Sequence, residues 1–484
     1  MTNFPSRVVV VLLVALIVVT AFTTALKSEQ SGAPASSPER RTPNVLFILA
    51  DDLGIGDLQC YGNPYVETPA INLLAREGVR LTAHYAPSPL CAPSRAGFLT
   101  GRFNHRTGAV DVPSNRGLDR IALSESTFGD HFRSAGYATA LIGKWHNGVY
   151  CRDHLPHQRG FDLFYGFPNG GQDYWKWNLL RNDVHVPHDG RYLTDSLNDE
   201  AIAFIRESAG NDQPFALFLA HHTPHVPYQA PARLIEKYRQ RLDQEDTENV
   251  AIIYAMIEAM DTGLGRVFQT LKDEGLWEQT VIVFTSDNGA YLGKVDGRTT
   301  QRYHASFSGN KGDVGEQGIR VPAIIAWPGT IPGERVVSTP IHGCDWLPTL
   351  LSLTGNRDTN DSSILSDRSS SSQFEATSRS VVVGFVRIQP FWRCGLNSHE
   401  FSYSKLLKST GRPNRKPFDG VDLTRILLGK SQPDLASRDL PFQKNRYTPA
   451  AHSDAAIRRG QWKLVWPGEP LTMSKDSARD NPSY

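Results

Sequence analysis

The stretch NVLFILADD, residues 44–52, decides the fold of this chain. It opens with an apolar run that has the length of a buried strand, and two aspartates follow directly. Three more apolar runs have the same form: Ala138 to Ile142 precedes GKWH, Phe215 to Ala220 precedes two histidines, and Thr280 to Thr285 precedes SDN. Polar side chains therefore follow each of four predicted strands.

Helical segments lie between these strands. One is predicted to begin at Pro69 behind a Thr68 cap and to end at Gly78, a second spans Thr127 to Ala135, and a third spans about Asn249 to Glu274. This alternation indicates an α/β fold with a large, mostly parallel sheet flanked by helices on both faces. Because such sheets bind ligands beyond the carboxyl ends of their strands, we expect the four polar clusters to share one pocket.

The composition fits a globular protein without a strong charge bias. The 484 residues are 40% hydrophobic, which is enough for one large domain and a smaller one. There are 51 basic and 50 acidic residues, so the formal charge is +1 and favours neither nucleic acid nor an anionic membrane surface as a partner. Any anion site must be built locally.

The first residues are typical of a targeting segment. Arg7 precedes an apolar run from Val8 to Val19, which predicts a signal peptide over 1–26 and an exported protein that is periplasmic, secreted or lumenal. The alternative is an uncleaved membrane anchor. Residues 27–42, rich in Ser, Pro and Ala, are predicted to be a flexible linker.

The remaining chain divides by composition into three parts. Residues 43–355 form the predicted catalytic domain. Residues 356–416 contain a serine run and a basic patch and are interpreted as an atypical insertion. Residues 417–484 are predicted to form a smaller, incomplete C-terminal α+β subdomain, whose final strand candidate is Trp462 to Trp466.

Two of the polar clusters suggest a metal site. Asp51, Asp52, Asp287 and Asn288 offer three carboxylates and an amide oxygen, which suit a hard cation such as calcium or magnesium. The alternatives are a loop or helix cap for the aspartate pair and a tight turn for the Asp287–Gly289 segment. The position of both clusters at strand ends favours the metal.

Five cysteines make an odd number for an exported chain, so one of them is expected to serve outside a disulfide. Cys91 lies where a short helix is predicted to begin, with Pro93 in its first turn and Gly101 at its end. A nucleophile at a helix N-terminus gains from unpaired amides and the helix dipole. The alternative is a buried or disulfide-bonded cysteine.

The run CAPSRAGFLTGR, from Cys91 to Arg102, resembles the signature of the type I sulfatases, especially the arylsulfatase A group. Other motifs of that family follow in order: ADDLG at 50–54, GKWH at 143–146, HTP at 222–224 and SDNG at 286–289. The similarity covers most of residues 43–355 and two patches beyond. It implies an alkaline-phosphatase-like sulfatase fold and the hydrolysis of sulfate esters of aryl or carbohydrate substrates.

The resemblance also implies a modified nucleophile. In this family the cysteine of CxPxR is oxidised to formylglycine by a formylglycine-generating or sulfatase-maturating enzyme, and one hydroxyl of the hydrated aldehyde attacks sulfur. The second hydroxyl then allows sulfate to be expelled without another attack on sulfur. By this analogy Cys91 is the modified residue, and Asp51, Asp52, Asp287 and Asn288 hold calcium, with magnesium as the alternative cation.

Five further residues receive roles from the same motifs. Arg95 would steady the hydrate, Lys144 and Lys311 would hold sulfate oxygens, His146 would contact the formylglycine hydroxyl, and His222 would donate a proton to the leaving oxygen. The alternative for the two lysines is a solvated surface position, the commonest location of lysine.

The histidine cluster allows another interpretation. His221, His222 and His225 together resemble a zinc ligand set. Adjacent residues of an extended segment point to opposite faces, however, so His221 and His222 do not easily reach one ion. We therefore choose His222 as the functional residue, with His225 as a second contact.

Rival functions and the substrate stay open at this stage. The rivals are a phosphonate or phosphodiester hydrolase with the same CxPxR logic and a non-catalytic protein that binds sulfated glycans through an unmodified Cys91. Tyr174, Trp175 and Trp177 either stack on a sugar or aryl ring or pack in the interior. Asn147 departs from the family pattern, because it stands where leucine usually follows GKWH.

Overall fold

The computed structural model describes residues 42–211, 213–242, 246–356, 416–444, 455–460 and 462–466. The predicted signal peptide, Cys394 and the predicted insertion apart from its two end residues lie outside this set. Within the described ranges, no helix is long and apolar enough to cross a bilayer.

Strands make up a large central sheet and three small ones. In chain order the strands are β1 Asn44–Ala50, β2 Val79–Leu81, β3 His84–Tyr85, β4 Ala138–Lys144, β5 Leu163–Phe167, β6 Asn178–Arg181, β7 Val184–Pro187, β8 Phe215–Ala220, β9 Thr280–Ser286, β10 Lys294–Val295, β11 Arg298–Thr299, β12 Ala323–Ala326, β13 Arg335–Val337, β14 Ile341–His342, β15 Asp439–Gln443, β16 Ala455–Arg459 and β17 Trp462–Trp466.

The central sheet has ten strands in the order β13-β2-β12-β9-β1-β8-β4-β5-β6-β7. Strands β9, β1, β8, β4 and β5 pair in parallel, whereas β12, β6 and β7 pair antiparallel with their neighbours inside the sheet. The mostly parallel sheet that the sequence predicts is confirmed for the centre. All four apolar runs are strands of this centre, so their carboxyl ends meet at one edge.

Both faces of the sheet are buried, because successive side chains of a strand point to opposite sides. In β1, Leu46 and Ile48 belong to one hydrophobic cluster, while Val45 and Phe47 belong to the other. The ring of Phe47 stacks on that of Phe218 in β8, with centroids 4.9 Å apart. Each such buried side chain contributes about 1.5–3 kcal/mol by leaving water.

Helices cover the two faces. They are α1 Pro69–Glu77, α2 Cys91–Thr100, α3 Phe128–Ser134, α4 Leu193–Gly210, α5 Ala232–Arg241, α6 Glu248–Asp273, α7 Glu316–Ile319, α8 Trp346–Leu353, α9 Thr424–Leu427 and α10 Asp434–Ser437. Short 3₁₀ turns lie at Ile55–Asp57, Gln59–Tyr61, Asn104–Arg106, Ser114–Arg116, Arg152–His154, Pro156–Gln158, Trp277–Gln279 and Gly343–Asp345. Helices α1, α4, α5 and α6 pack on one face, and α2, α3 and α8 pack on the other.

The start of α1 differs from its prediction in one respect. Thr68 occupies the N-cap position, but its side chain makes no capping hydrogen bond and instead accepts one from the Gln59 amide at 3.2 Å. The carboxylate of Asp261 in α6 accepts hydrogen bonds from the amides of Ala70 and Ile71, at 3.0 and 2.8 Å. A residue distant in sequence therefore satisfies the helix terminus.

The C-terminal segment forms a small α+β unit. Strands β15, β16 and β17 make a three-stranded antiparallel sheet, and the predicted strand Trp462–Trp466 is confirmed as β17. Leu440 and Phe442 of β15 pack in one hydrophobic cluster with Tyr85 and Ile319. This packing places the small sheet against the segment that follows Lys311.

Candidate active site

The four polar clusters lie at the carboxyl edge of the central sheet. β1 ends at Ala50, directly before the aspartate pair, and β4 ends with Lys144 itself. β8 is followed by the histidine cluster, and β9 by Asp287 and Asn288. These strands are neighbours in the order β9-β1-β8-β4, so the sheet brings together residues that are far apart in sequence.

Local backbone conformations allow these strand ends to lie close together. Gly143 has a φ of +110°, and a Cβ atom there would lie 1.9 Å from the carbonyl oxygen of Ala220. Asp52 and His146 have positive φ values of 65° and 55°, a region that non-glycine residues seldom occupy. Such conformations cluster at functional sites because the surrounding structure must hold them in place.

Asp51 contacts three basic side chains of the site. Its Oδ2 atom accepts a hydrogen bond from Nζ of Lys144 at 2.7 Å and lies 3.0 Å from Nδ1 of His222 and 3.9 Å from Nη2 of Arg95. Burial acts to raise the pKa of Asp51, but the Lys144 charge and its other neighbours outweigh burial and hold that pKa well below its ordinary value. The carboxyl is therefore ionised at neutral pH.

Asp52 and Asp287 form a second set of contacts. Lys311 Nζ donates to Oδ2 of Asp52 at 2.8 Å, and Nδ2 of Asn288 donates to Oδ1 of Asp52 at 2.7 Å. The Asp52 amide donates to Oδ1 of Asp287 at 3.2 Å, while Arg95 Nε donates to the other Asp287 oxygen at 2.9 Å. The five residues thus form one network, in which all but the partly exposed Lys311 are buried.

Cys91 is the first residue of α2 and is a free, buried thiol with 2% of its surface exposed. The ligand-capable atoms of Asp51, Asp52, Cys91 and His225 all lie within 4.8 Å of one another. Burial raises the pKa of the Cys91 thiol to about 12, despite the nearby charges of Lys144 and Lys311. Cys91 is therefore not in a disulfide. It is buried, as one alternative expected, and it also lies close to the carboxylates of Asp51 and Asp52.

His146 is held by backbone groups. Its Nε2 atom lies 3.0 Å from the carbonyl oxygen of Val112, and its amide donates to the carbonyl of Pro168 at 3.1 Å. A carbonyl can only accept, so Nε2 carries the proton and Nδ1 is left as an acceptor. Nδ1 is buried and has no hydrogen-bond partner within the described structure.

His222 and His225 have different surroundings. Both ring nitrogens of His222 have partners, Nδ1 with Asp51 at 3.0 Å and Nε2 with the backbone amide of Gln172 at 3.2 Å. His225 has Nδ1 2.8 Å from the Val226 carbonyl, and its Nε2 lies 3.8 Å from Oδ2 of Asp52. His225 is therefore the histidine whose Nε2 faces the carboxylate cluster without a hydrogen bond.

Three aromatic residues near this site were predicted either to stack on a substrate ring or to pack in the interior. Tyr174 is buried, stacks on His222 with centroids 5.0 Å apart, and donates its hydroxyl hydrogen to the carbonyl of His222 at 2.8 Å. Trp177 is also buried and donates to the Arg191 carbonyl. Trp175 keeps 37% of its surface exposed. Packing in the interior thus holds for Tyr174 and Trp177, and Trp175 remains accessible to a ligand.

The donor set fits a divalent cation. Oδ1 of Asp51 and Oδ1 of Asn288 are buried without hydrogen-bond partners within the described structure, although both are acceptors. Burial and the neighbouring Asp51 charge raise the pKa of Asp287 to about 7, a sign that the carboxylates repel one another. A cation bound between them would relieve this repulsion and complete the unpaired oxygens.

Some contacts in this site had no signal in the sequence. The amide of Gln172 and the carbonyl of Val112 orient His222 and His146 through backbone atoms, so the side-chain identity at 172 and 112 carries no information. By contrast, every site residue that the motifs predicted lies in the network or beside it.

The fold and site define a class of α/β protein in which a cluster of carboxylates suited to a cation lies beside a cysteine at a helix N-terminus. The profile described as Sulfatase matches residues 43–356, and this chain belongs to the sulfatase family. The resemblance stated from the motifs is thereby confirmed.

Curated relatives include arylsulfatases and steryl-sulfatases. Arylsulfatase D of Homo sapiens is 34% identical over an alignment of 399 positions that covers 65% of this chain and 65% of the relative. Arylsulfatase A of Homo sapiens is 34% identical over 348 residues, covering 65% of this chain and 64% of the relative. The chain therefore spans slightly less than two thirds of the length of these relatives.

Solved structures share the fold. The crystal structure of Ps i-CgsB has a TM-score of 0.69 and 26% identity, covering 89% of this chain and 85% of that one. A second crystal structure of Ps i-CgsB, in complex with k-i-k-neocarrahexaose, has the same TM-score, 25% identity and 90% coverage of both chains. The predicted sulfatase fold is confirmed by these neighbours.

Proposed function

We propose that this protein hydrolyses sulfate esters, with a formylglycine derived from Cys91 as its nucleophile and calcium as its cation, magnesium being the alternative. The observation that carries the proposal is the meeting of Cys91 with Asp51 and Asp52 within 4.8 Å, in a chain with the sulfatase signature. Residues 43–355 form the catalytic domain in this proposal, and the C-terminal unit packs against its edge.

The charges of the site suit an anionic ester. Three carboxylates, those of Asp51, Asp52 and Asp287, face the three basic side chains of Arg95, Lys144 and Lys311. These six charges balance, so a divalent cation held by the carboxylates and Asn288 would make the centre net positive. When bound, the cation polarises the sulfuryl oxygens and stabilises a deprotonated nucleophile.

The thiol itself is a poor candidate for the nucleophile. With a pKa of about 12 it stays protonated at neutral pH, whereas the thiolate is the reactive form of cysteine. A formylglycine at this position, made by a formylglycine-generating or sulfatase-maturating enzyme, supplies a hydroxyl in its hydrated form. In this proposal the nucleophile is therefore the modified side chain that the CxPxR signature implies, and not the thiol.

The surrounding side chains have separate tasks in this proposal. Lys144 and Lys311 hold sulfate oxygens, and Arg95 steadies the side chain at position 91. Nδ1 of His146 accepts a hydrogen bond from a hydroxyl at position 91, since Nε2 donates to the carbonyl of Val112. Hydrolysis of inert esters needs a barrier reduction on the order of 20 kcal/mol, and one well-placed donor supplies only about 3, so several groups must act together.

We propose His225, rather than His222, as the proton donor to the leaving oxygen. His222 uses both ring nitrogens within the protein and orients Asp51. His225 faces the cluster with Nε2 and gives the proton to the leaving oxygen. Burial lowers the pKa of His225 to about 3, but a bound anionic ester would raise it, because an opposite charge favours the protonated ring.

The substrate is proposed to be an aryl or carbohydrate sulfate. The arylsulfatase names of the relatives favour an aryl ester, and the oligosaccharide bound to Ps i-CgsB favours a carbohydrate. Trp175, which is partly exposed beside the His222 loop, offers a face for a ring of either kind. We place the protein outside the cytoplasm on the strength of its N-terminal sequence, anchored to a membrane only if that segment is uncleaved.

The experiment is expression of the full chain together with a formylglycine-generating enzyme, followed by measurement of sulfate release with calcium and with a chelator. We expect calcium-dependent release from aryl or carbohydrate sulfates, and none from C91A, which removes the modifiable residue. Phosphate monoesters, diesters and phosphonates are assayed in parallel. Faster turnover of the phosphorus esters than of the sulfates would assign the chain to the phosphonate or phosphodiester hydrolases. An unmodified thiol at position 91, with binding of sulfated glycans but no turnover, would assign it to the non-catalytic glycan-binding proteins.

A further inference from the structure

Asn147 occupies the position where leucine is usual after GKWH, and its side chain is fully buried. Its Nδ2 atom donates one hydrogen bond to the carbonyl of Ala92 at 2.9 Å and another to the carbonyl of Asp119 at 3.0 Å. The Ile121 amide donates to the Asn147 carbonyl at 3.4 Å. Ala92 follows Cys91 in the first turn of α2. Asn147 therefore joins that turn to a separate loop, residues 110–121.

The same loop holds His146. The loop is closed by a hydrogen bond of 2.7 Å from the amide of Val110 to the carbonyl of Leu118. Within it, the carbonyl of Val112 binds Nε2 of His146 at 3.0 Å. One loop therefore orients the imidazole of His146 and, through Asn147, is fastened to the helix that begins at residue 91.

We propose that Asn147 is a positioning residue that fixes His146 relative to the side chain at position 91. Leucine has nearly the same branched shape but no N–H groups, so it would fill the space without making either hydrogen bond. The side-chain bridge between the first turn of α2 and the His146 loop would then be lost. The catalytic consequence of this inference rests on the proposed function, whereas its structural consequence does not.

The structural consequence is tested on chain prepared without maturation, in which residue 91 is still a thiol. Cys91 and Cys344 are almost equally buried, at 2% and 1% exposed, and only Cys91 lies beside the Asn147 contacts. We expect N147L to raise the rate of Cys91 alkylation by iodoacetamide at least about tenfold and to leave Cys344 unchanged, because buried groups react through local opening. N147A, which also lacks the donors and adds no charge, should behave alike and serves if N147L fails to fold. Equal increases at both cysteines, or none at Cys91, would overturn the inference.

The catalytic consequence is tested on matured protein. N147L should lower kcat by about 10- to 100-fold with KM unchanged, since small misplacements of reacting groups cost that much while substrate binding persists. A rise in KM at unchanged kcat would contradict a positioning role. If matured wild-type protein releases no sulfate, the proposed function fails, and the alkylation experiment still decides whether Asn147 holds the α2 turn.

Discussion

Nζ of Lys144 lies 2.7 Å from Oδ2 of Asp51, and neither side chain is exposed to solvent. Removing one member of such a buried pair leaves the other charge uncompensated and costs about 3–5 kcal/mol. We therefore expect K144M to lower the free energy of unfolding and to reduce sulfate release at least about 100-fold, because a group that contacts the sulfate is also lost. Urea unfolding and a sulfate assay measure the two effects.

The control for this variant is K294M, since Lys294 is exposed on β10, which pairs with β11 in a separate two-stranded sheet. K294M should match wild type in both measurements. A K144M protein that retained full turnover would show that Lys144 has only a structural function.

A cation bound by the carboxylates should stabilise the folded protein. A ligand that binds only the folded state adds about 2.7 kcal/mol when its concentration is 100 times its Kd. We expect calcium to raise the unfolding midpoint, a chelator to reverse the rise, and D287N to abolish it, because Asp287 supplies one of the proposed ligands.

Asp273 provides the matched control for that substitution, since it is exposed at the end of α6 and accepts a hydrogen bond only from Gln269 among the contacts described. D273N should keep the full calcium response. If calcium shifted D287N as much as wild type, Asp287 would not be a ligand.

The sequence predicted the framework of this site because each buried, apolar strand is followed directly by polar residues of the site. Apolar runs such as Asn44–Ala50 and Phe215–Ala220 match the observed strands residue for residue, since a strand buried on both faces must be apolar throughout. Parallel neighbours then bring their polar ends to one edge, which is why Asp51 and Asp287 could be placed together from sequence.

What the sequence could not predict depends on long-range or backbone contacts. Asp261 caps α1 in place of Thr68, and no local pattern marks a partner 191 positions away from Ala70. The proposal of His225 rather than His222 follows from the Gln172 amide, which any residue except proline would provide at that position. The partner of Asn147 on α2 is likewise a backbone carbonyl.

The assignment of the proton donor can be tested through the leaving group. A proton donor matters most when the leaving oxygen is strongly basic, so H225Q should slow alkyl sulfates by about 10²–10⁴-fold and activated aryl sulfates far less. H222Q should slow both kinds of substrate by a similar factor, because His222 orients Asp51 rather than the leaving oxygen. The opposite pattern in kcat would return the role of donor to His222.

An ion pair between the partly buried Arg438 and the buried Asp345 links the C-terminal segment to the turn before α8. Nη1 of Arg438 donates to Oδ1 of Asp345 at 2.7 Å, and the second guanidinium nitrogen contacts the other oxygen. Burial alone would raise the pKa of Asp345, but the Arg438 charge and hydrogen bonds outweigh it and hold that pKa below its ordinary value. The pair therefore stabilises the fold only while Asp345 is ionised.

The sign of the pH dependence follows from this depressed pKa. The contribution is complete above the unfolded pKa of about 3.9 and is lost as the pH falls through the lower folded value. D345N should thus be less stable than wild type by a constant amount between pH 5 and 7, on the order of 3 kcal/mol, and the difference should shrink below pH 4. The exposed neighbouring pair of Asp439 and Arg459 gives the control, D439N, for which no change is expected. A difference between D345N and wild type that stayed constant down to the lowest pH tolerated would mean that the Asp345 charge does not hold the C-terminal unit in place.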